Sequence, residues 1–169
     1  MKFENLTIWI ISPEAWGTQK VSKHHYALEL ARRDNEIVFI EPPQAKNPLR
    51  EVSQSISAFS FISFPGLRFF PRFLRRYLIE RDFRRIQKKT GTRPDVIWSF
   101  DNSRLFELDV WKTYVTSLHH VVDLTMDFNL CVAASTSQLC LGTTKFIVAK
   151  MSNCNPKSYN IGHGVNLWD

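Results

Sequence analysis

The sequence predicts an α/β fold: a doubly wound parallel sheet of about seven strands, Rossmann-like in outline. Two observations predict it. Short apolar runs, too continuous for a sheet with one wet face, alternate along the chain with longer stretches of helical period. The first strand, helix and second strand also fit within about 40 residues, the size of a right-handed parallel crossover.

Taken in order, Leu6–Ile11 (LTIWII) is the first buried strand, stopped by Ser12-Pro13. The loop SPEAWGTQ leads to a helix over Lys20–Arg33, with Val21, His24, Leu28 and Ala31 on one face. Glu36–Ile40 (EIVFI) is the second strand, ended by Pro42-Pro43. Residues 44–57 are polar and read as loop. Phe59–Phe64 (FSFISF) is the third strand, closed by Pro65-Gly66. Pro71 opens a helix that runs to about Thr90. Its apolar side changes within the run. Phe70, Phe73, Leu74 and Tyr77 share one face, while Ile79, Phe83 and Ile86 share nearly the opposite one. This predicts a break near Leu78–Ile79 or a helix that touches two surfaces.

Asp95–Phe100 (DVIWSF) is the fourth strand, and the DNS after it suits a helix cap. Leu118–Leu124 is the fifth strand, Asp127–Ser137 a modest helix, and Gln138–Gly142 the sixth strand. Thr143 or Thr144 caps a helix through Ser152, and Ser158–Ile161 is the seventh strand. Right-handed, unknotted crossovers give the order 3-2-1-4-5-6-7, with the first strand central.

The 169 residues, 44% hydrophobic and 22% charged, suffice for one domain with its own core. No stretch approaches a transmembrane helix, and the early apolar run is too short for an export signal, so a cytoplasmic chain is expected. Cys131, Cys140 and Cys154 are odd in number and lack C-x-x-C spacing. Neither a disulfide framework nor a zinc site is expected, and no metal or cofactor is called for.

In an open parallel sheet, ligands bind at the carboxyl ends of the strands. That rule selects Trp16-Gly17-Thr18, Glu41, Asp101-Asn102, Asp123 to Asp127, and His163-Gly164. The first loop has a single glycine and no G-x-G-x-x-G or P-loop, which weakens a dinucleotide or ATP site. No nucleophile elbow appears. Each selected residue has a plainer reading beside the functional one. Trp16, Gly17 and Thr18 form either a ligand-facing loop or an ordinary turn. His24 is a ligand contact or a helix-packing histidine. Asp101 and Asn102 bind a ligand or cap a helix. His163 and Gly164 bind substrate or only turn the backbone.

The order of these pieces resembles the N-terminal domain of GT-B fold glycosyltransferases, in particular the retaining group that includes bacterial polysaccharide and lipopolysaccharide sugar transferases. The carriers are WIISPEAWGTQKVSKHHYALELARRDNEIVFIEPP, PDVIWSFD, and CLGTTKFIVAKMSNCNPKSYNIGHGVN. Leu141 to Thr144 match a strand end that the family writes as "lgts". His163 to Asn166 match "hGvd", with Asn166 where the family often has Asp. The resemblance implies that GHGVN crosses into a second Rossmann-like domain holding most of the nucleotide-sugar site. The present half would then supply the acceptor side of the cleft. It also implies a histidine near the end of the fifth strand. Here His119 and His120 lie inside that strand and acids lie at its end, so Asp123 and Asp127 are the catalytic candidates. The implied partners are a nucleotide-sugar and a glycan or lipid-linked acceptor. A stand-alone nucleotide- or partner-binding module without catalysis is the alternative.

The net charge of +6 is uneven. Nine basic residues between Arg68 and Lys89 face only Glu80 and Asp82, leaving +7 there and −1 elsewhere. A solvated helix face and a nucleic-acid surface are two readings, but the aromatics form a stripe and are not spaced for base stacking. The third is docking on anionic membrane through Phe69, Phe70, Arg72, Phe73, Arg75, Arg76 and Tyr77, in keeping with lipid-linked acceptors.

Overall fold

The structure, a computed structural model, describes residues 4–17, 19–43, 48–111, 115–124 and 129–162. The chain runs β1 (Thr7–Ile11), α1 (Ser22–Ala31), β2 (Glu36–Glu41), β3 (Leu49–Ser53) and β4 (Ile56–Ser60). It continues through α2 (Arg72–Thr90), β5 (Val96–Ser99), β6 (Thr116–Val121), α3 (Leu130–Thr136), β7 (Leu139–Gly142), α4 (Lys145–Ser152) and β8 (Ser158–Asn160). Short 3-10 turns occupy Leu67–Phe69 and Leu108–Trp111.

The strands form one sheet in the order β3-β4-β2-β1-β5-β6-β7-β8. All neighbours are parallel except β3, which pairs antiparallel with β4. The seven expected strands are present in the expected order with β1 inside. Both faces are buried because β1 and β2 carry Ile, Val and Phe at successive positions, not alternate ones. Trp9, Ile11, Val38 and Ile40 point to the face covered by α2 and α3, where they meet Ile79, Phe83, Ile86 and Ala133. Ile8, Ile10, Ile37 and Phe39 point to the face covered by α1, against Ala27 and Leu30. At β7 the packing is closest. A Cβ on Gly142 would lie 2.9 Å from Val148 and 3.0 Å from Ile147, so glycine lets α4 settle onto the sheet.

Five local expectations are corrected. Residues 49–53, read as loop, form the edge strand β3. It is polar and only half buried, so it lacks the apolar pattern that marked the others. The third expected strand sits earlier, at Ile56–Ser60, and Phe61–Phe64 leave the ladder as loop, with Ile62 65% exposed. α1 buries Lys23, His24, Ala27 and Leu30, while Val21 lies outside it and exposed, so its inner face is rotated from the one expected. The DNS after β5 caps no helix among the described residues, where loop leads to a 3-10 turn at Leu108–Trp111. Finally, Cys131 and Cys154 form a disulfide, with Cα atoms 5.4 Å apart. They are 23 residues apart and meet because α3 and the end of α4 lie side by side, which residue spacing does not reveal.

α2 is a single unbroken helix, entered through Pro71 and ended by Gly91 at φ 70, whose N–H returns to the Gln87 carbonyl. The change of face is real and needs no break. Ile79, Phe83 and Ile86 are wholly buried, whereas Phe73 and Tyr77 are 77% and 63% exposed. No helix among the described residues is long and apolar enough to cross a membrane.

Candidate functional site

Two networks organise the carboxyl ends of the strands. The first centres on Glu41, the last residue of β2 and fully buried. Its carboxylate accepts from the Trp16 N–H (2.7 Å), the Ser60 hydroxyl (2.7 Å) and both terminal nitrogens of Arg50 (2.5 and 3.0 Å). Burial pushes the Glu41 pKa up, but Arg50, the Trp16 amide and Ser60 together outweigh it and hold the group below the usual carboxylate range. β3 is what delivers Arg50. Glu41 thus fastens the first loop and the edge strand to the sheet, and its lone pairs are taken.

The second network centres on Arg104, three residues after Asp101. Its Nε donates to the Asp101 carboxylate (2.8 Å), one terminal nitrogen to the carbonyls of Glu41 and Phe61 (both 3.2 Å), and the other to the Ser12 carbonyl (2.5 Å). One guanidinium therefore joins the carboxyl ends of β1, β2, β4 and β5. Asp101 also accepts from the Ser103 amide (2.7 Å) and hydroxyl (2.5 Å), a tight local turn in place of the expected cap.

The sequence-selected residues fall into distinct settings. Trp16 packs edge-on against Phe39 and His24, with the Lys20 ammonium 4.1 Å above its ring. Gly17 is exposed; its carbonyl accepts from Lys20. His24 is buried, and both ring nitrogens are spoken for. Nδ1 accepts from the Val21 amide and Nε2 meets the Ala15 carbonyl, so the ring secures the first loop to the start of α1. Burial, with Lys20 and Lys23 nearby, keeps its pKa below the ordinary imidazole value. Asp101 is buried and bound to Arg104, and the Asn102 carbonyl accepts from Asn129. Asp123 is exposed just past β6. Thr18, Asp127, His163 and Gly164 lie outside the described residues. Arg50 and Arg104 were not singled out by the sequence. Arg104 had a legible signal, an Asp-x-x-Arg at a strand end, whereas Arg50 lay in a segment read as loop.

Among the basic-segment residues, Phe69 is 78% exposed and joins Phe73 and Tyr77 at the surface, with Arg72 exposed beside them. Three of the seven are corrected. Phe70 is half buried against Phe64 and the core. Arg75 pairs with buried Glu107, and Arg76 with Asp109, so both arginines are turned inward to the 107–109 segment.

Beside the second network lies an open groove of about 460 Å³. One wall is the 61–69 loop; the other side is Pro43, Ser103, Arg104 and Asn129. No cluster of three His, Cys, Asp or Glu side chains among the described residues is arranged to hold a metal.

No family model matches the chain, and no curated protein matches it in sequence. Solved structures do match in fold. Sucrose-phosphate synthase from Thermosynechococcus elongatus superposes with a TM-score of 0.67 at 16% identity, covering 96% of this chain and 49% of that one. A second structure, of part of the same enzyme, gives 0.67 at 13% identity, with 95% and 90% covered. A trehalose-6-phosphate protein from E. coli, bound with UDP-2-fluoro glucose, gives 0.53 at 11% identity, with 88% and 42% covered. The chain spans about half the length of the first of these. At such identities the likeness is one of fold: this chain has the Rossmann-like architecture found in one half of a GT-B fold.

Proposed function

We propose that the chain is the N-terminal, acceptor-side domain of a glycosyltransferase that moves a sugar from a nucleotide-sugar donor to a hydroxyl acceptor in glycan or glycolipid synthesis. The observation that carries this is the fit of 96% of the chain to 49% of sucrose-phosphate synthase at a TM-score of 0.67. A second Rossmann-like domain, entered through His163-Gly164, would hold most of the donor. The UDP-sugar in the trehalose-6-phosphate protein supports a nucleotide-sugar as the donor class.

The acceptor would enter over the strand ends, with Asp123 and Asp127 as candidates for the base or electrostatic group and Trp16 to Thr18 as the loop beside it. Asp101, Glu41 and His24 act one step back, as the groups that hold those loops. The enzyme works as a peripheral protein at the cytoplasmic face of an anionic membrane. Exposed Phe69, Phe73 and Tyr77 beside Arg72 support that placement.

The test is calorimetry of the 169-residue chain with UDP and GDP, run beside a longer polypeptide that includes a second domain. The short chain should bind nucleotide weakly or not at all and transfer no sugar, while the longer one binds and transfers. Tight one-to-one nucleotide binding by residues 1–169 alone would overturn the reading in favour of a stand-alone binding module.

A further inference from the structure

We propose that Cys131 is a thiol-exchange site. A small thiol attacks its sulfur, opens the Cys131–Cys154 bond and frees the first turn of α3, which supplies one side of the groove. The proposal stands apart from glycosyl transfer and rests on where the two sulfurs lie.

The two sulfurs differ in access. Cys131 is exposed, whereas Cys154 is half buried and packs on the cluster of Val121, Ala134, Cys140 and Met151. A thiolate attacks the disulfide sulfur it can reach, so attack falls on Cys131 and Cys154 is the leaving group. A new bond forms between the incoming sulfur and Cys131 Sγ. The Cys131–Cys154 bond breaks, its electron pair stays on Cys154 Sγ, and the proton shed by the incoming thiol ends there. A second molecule of thiol then takes the first away as its disulfide and leaves Cys131 as a free thiol. Cys140 takes no part. It is buried, and burial pushes its pKa up to about 11, so it carries almost no thiolate at neutral pH.

α3 is what the bond restrains. Its seven residues are fewer than the about 12–15 that hold an isolated helix in water, so it depends on its ties. Those ties are uneven. At the far end the Asn155 side-chain amide donates to the carbonyls of Ala134 (2.9 Å) and Ser137 (2.8 Å), and the Thr136 hydroxyl meets the Leu108 amide and the Phe106 carbonyl. At the near end Asn129 stands at the N-cap without making a capping bond. Its side-chain amide donates instead to the Asn102 carbonyl (2.9 Å), and it lines the groove beside Ser103 and Arg104. Buried Leu130 and the disulfide are the other ties of this turn. Opening the bond therefore loosens the turn that carries Asn129 and leaves the rest of α3 in place.

The experiment exposes the native 169-residue chain to reduced glutathione, quenches with acid, alkylates the free thiols with a maleimide and maps both labels by mass spectrometry. Glutathione should be found on Cys131 and maleimide on Cys154 at least ten times as often as the reverse. The single variants test the same point by rate. With oxidised glutathione, Cys131 in Cys154→Ser should react at least tenfold faster than Cys154 in Cys131→Ser. The wild-type map needs no variant, so it stands even if a variant fails to fold. The consequence for α3 is read by NMR relaxation of the wild-type chain before and after reduction by a dithiol. Order parameters of residues 130–133 should fall from about 0.85 to below about 0.6, and the Asn129 side-chain amide signal should move. Residues 136–142 and 147–151 should keep their values. Free thiols at Cys131 and Cys154 in the untreated chain overturn the proposal, as does a bond that glutathione leaves intact. So does glutathione on Cys154 as often as on Cys131, or order at 130–133 that reduction does not change. Loss of order through β7 and α4 as well also overturns it, since the bond would then hold the whole edge of the sheet and not one turn. No nucleotide-sugar enters these measurements, so their outcome and that of the transfer assay are read separately.

Discussion

Mild acid should unfold this domain through two histidines that touch no proposed ligand. His119 and His120 are neighbours in β6, each 1% exposed, and among the described residues neither ring makes a well-formed hydrogen bond, the Ser99 carbonyl lying only loosely toward His119. His120 lies among Tyr26, Trp98 and Phe100 on the α1 face. Burial pushes both pKa values from 6.5 down to about 4. Asp101 and the Ser99 carbonyl pull His119 back up in part, while His119 and Lys23 push His120 further down. The unfolded chain therefore takes up protons near pH 6.5 that the folded chain refuses until about pH 4. Stability is complete above pH 6.5 and is lost as pH falls from there toward 4. At pH 5 one such histidine costs about 2 kcal/mol, and the pair about 3–4 kcal/mol. With a urea slope of about 2 kcal/mol per molar, the midpoint should drop by on the order of 1–2 M between pH 7.5 and pH 5. Carboxylates contribute in the same range, so the comparison is with His119→Leu and His120→Phe together. That variant should lose most of the drop, whatever its stability at pH 7.5. If it keeps the wild-type drop, or if NMR titration finds either ring protonating near pH 6.5 in the folded protein, the reasoning fails.

Arg104→Lys keeps the charge but cannot reach one carboxylate and three carbonyls at once; it should cost about 3 kcal/mol in chemical denaturation, and Arg104→Ala about 4 kcal/mol. Closing a 23-residue loop, the Cys131–Cys154 bond should contribute about 3 kcal/mol, so Cys131→Ser and a thiol reductant should lower stability by the same amount and not add to each other. Alkylation of the unreduced, denatured chain should label Cys140 alone. In vesicle sedimentation, Phe69→Ser with Phe73→Ser should remove the salt-resistant part of binding to anionic vesicles, and Arg72→Glu should weaken the salt-sensitive part. Equal binding of wild type to neutral vesicles would count against docking there.

The sequence told strands from helices wherever side chains were apolar on both faces. LTIWII and EIVFI leave little room for another reading, and their spacing sets the crossovers, so the order of seven strands followed. It failed where the structure is built from polar residues or from distance. β3 is an edge strand, half wet, and its Leu-Arg-Glu-Val-Ser has no face to declare. In SAFSFISF the aromatic alternation continues past the true strand end, because Phe61 turns inward and Ile62 outward without the ladder. Glu41 and Asp101 were found by position, but only part of what holds them was legible: Arg104 stands three residues after Asp101, whereas Arg50 reaches Glu41 from a segment read as loop nine residues away and Arg104 reaches the Glu41 carbonyl from sixty-three. The inward turn of Arg75 and Arg76 depends on Glu107 and Asp109, which the charge count set aside as the neutral remainder of the chain.

The unbroken course of α2 has a mechanical consequence. One 19-residue rod carries Phe73 and Tyr77 at one end and Ile79, Phe83 and Ile86, bolted to the sheet, at the other. Arg75 and Arg76 brace it sideways to Glu107 and Asp109, only a few residues from Arg104. No hinge separates the exposed aromatic end from the strand ends it approaches. Whatever plane those rings settle against fixes the tilt of the whole sheet, and with it the direction in which the groove opens. Were the proposed docking to occur, its angle would be set by the helix itself, in the way a keel sets the attitude of a hull.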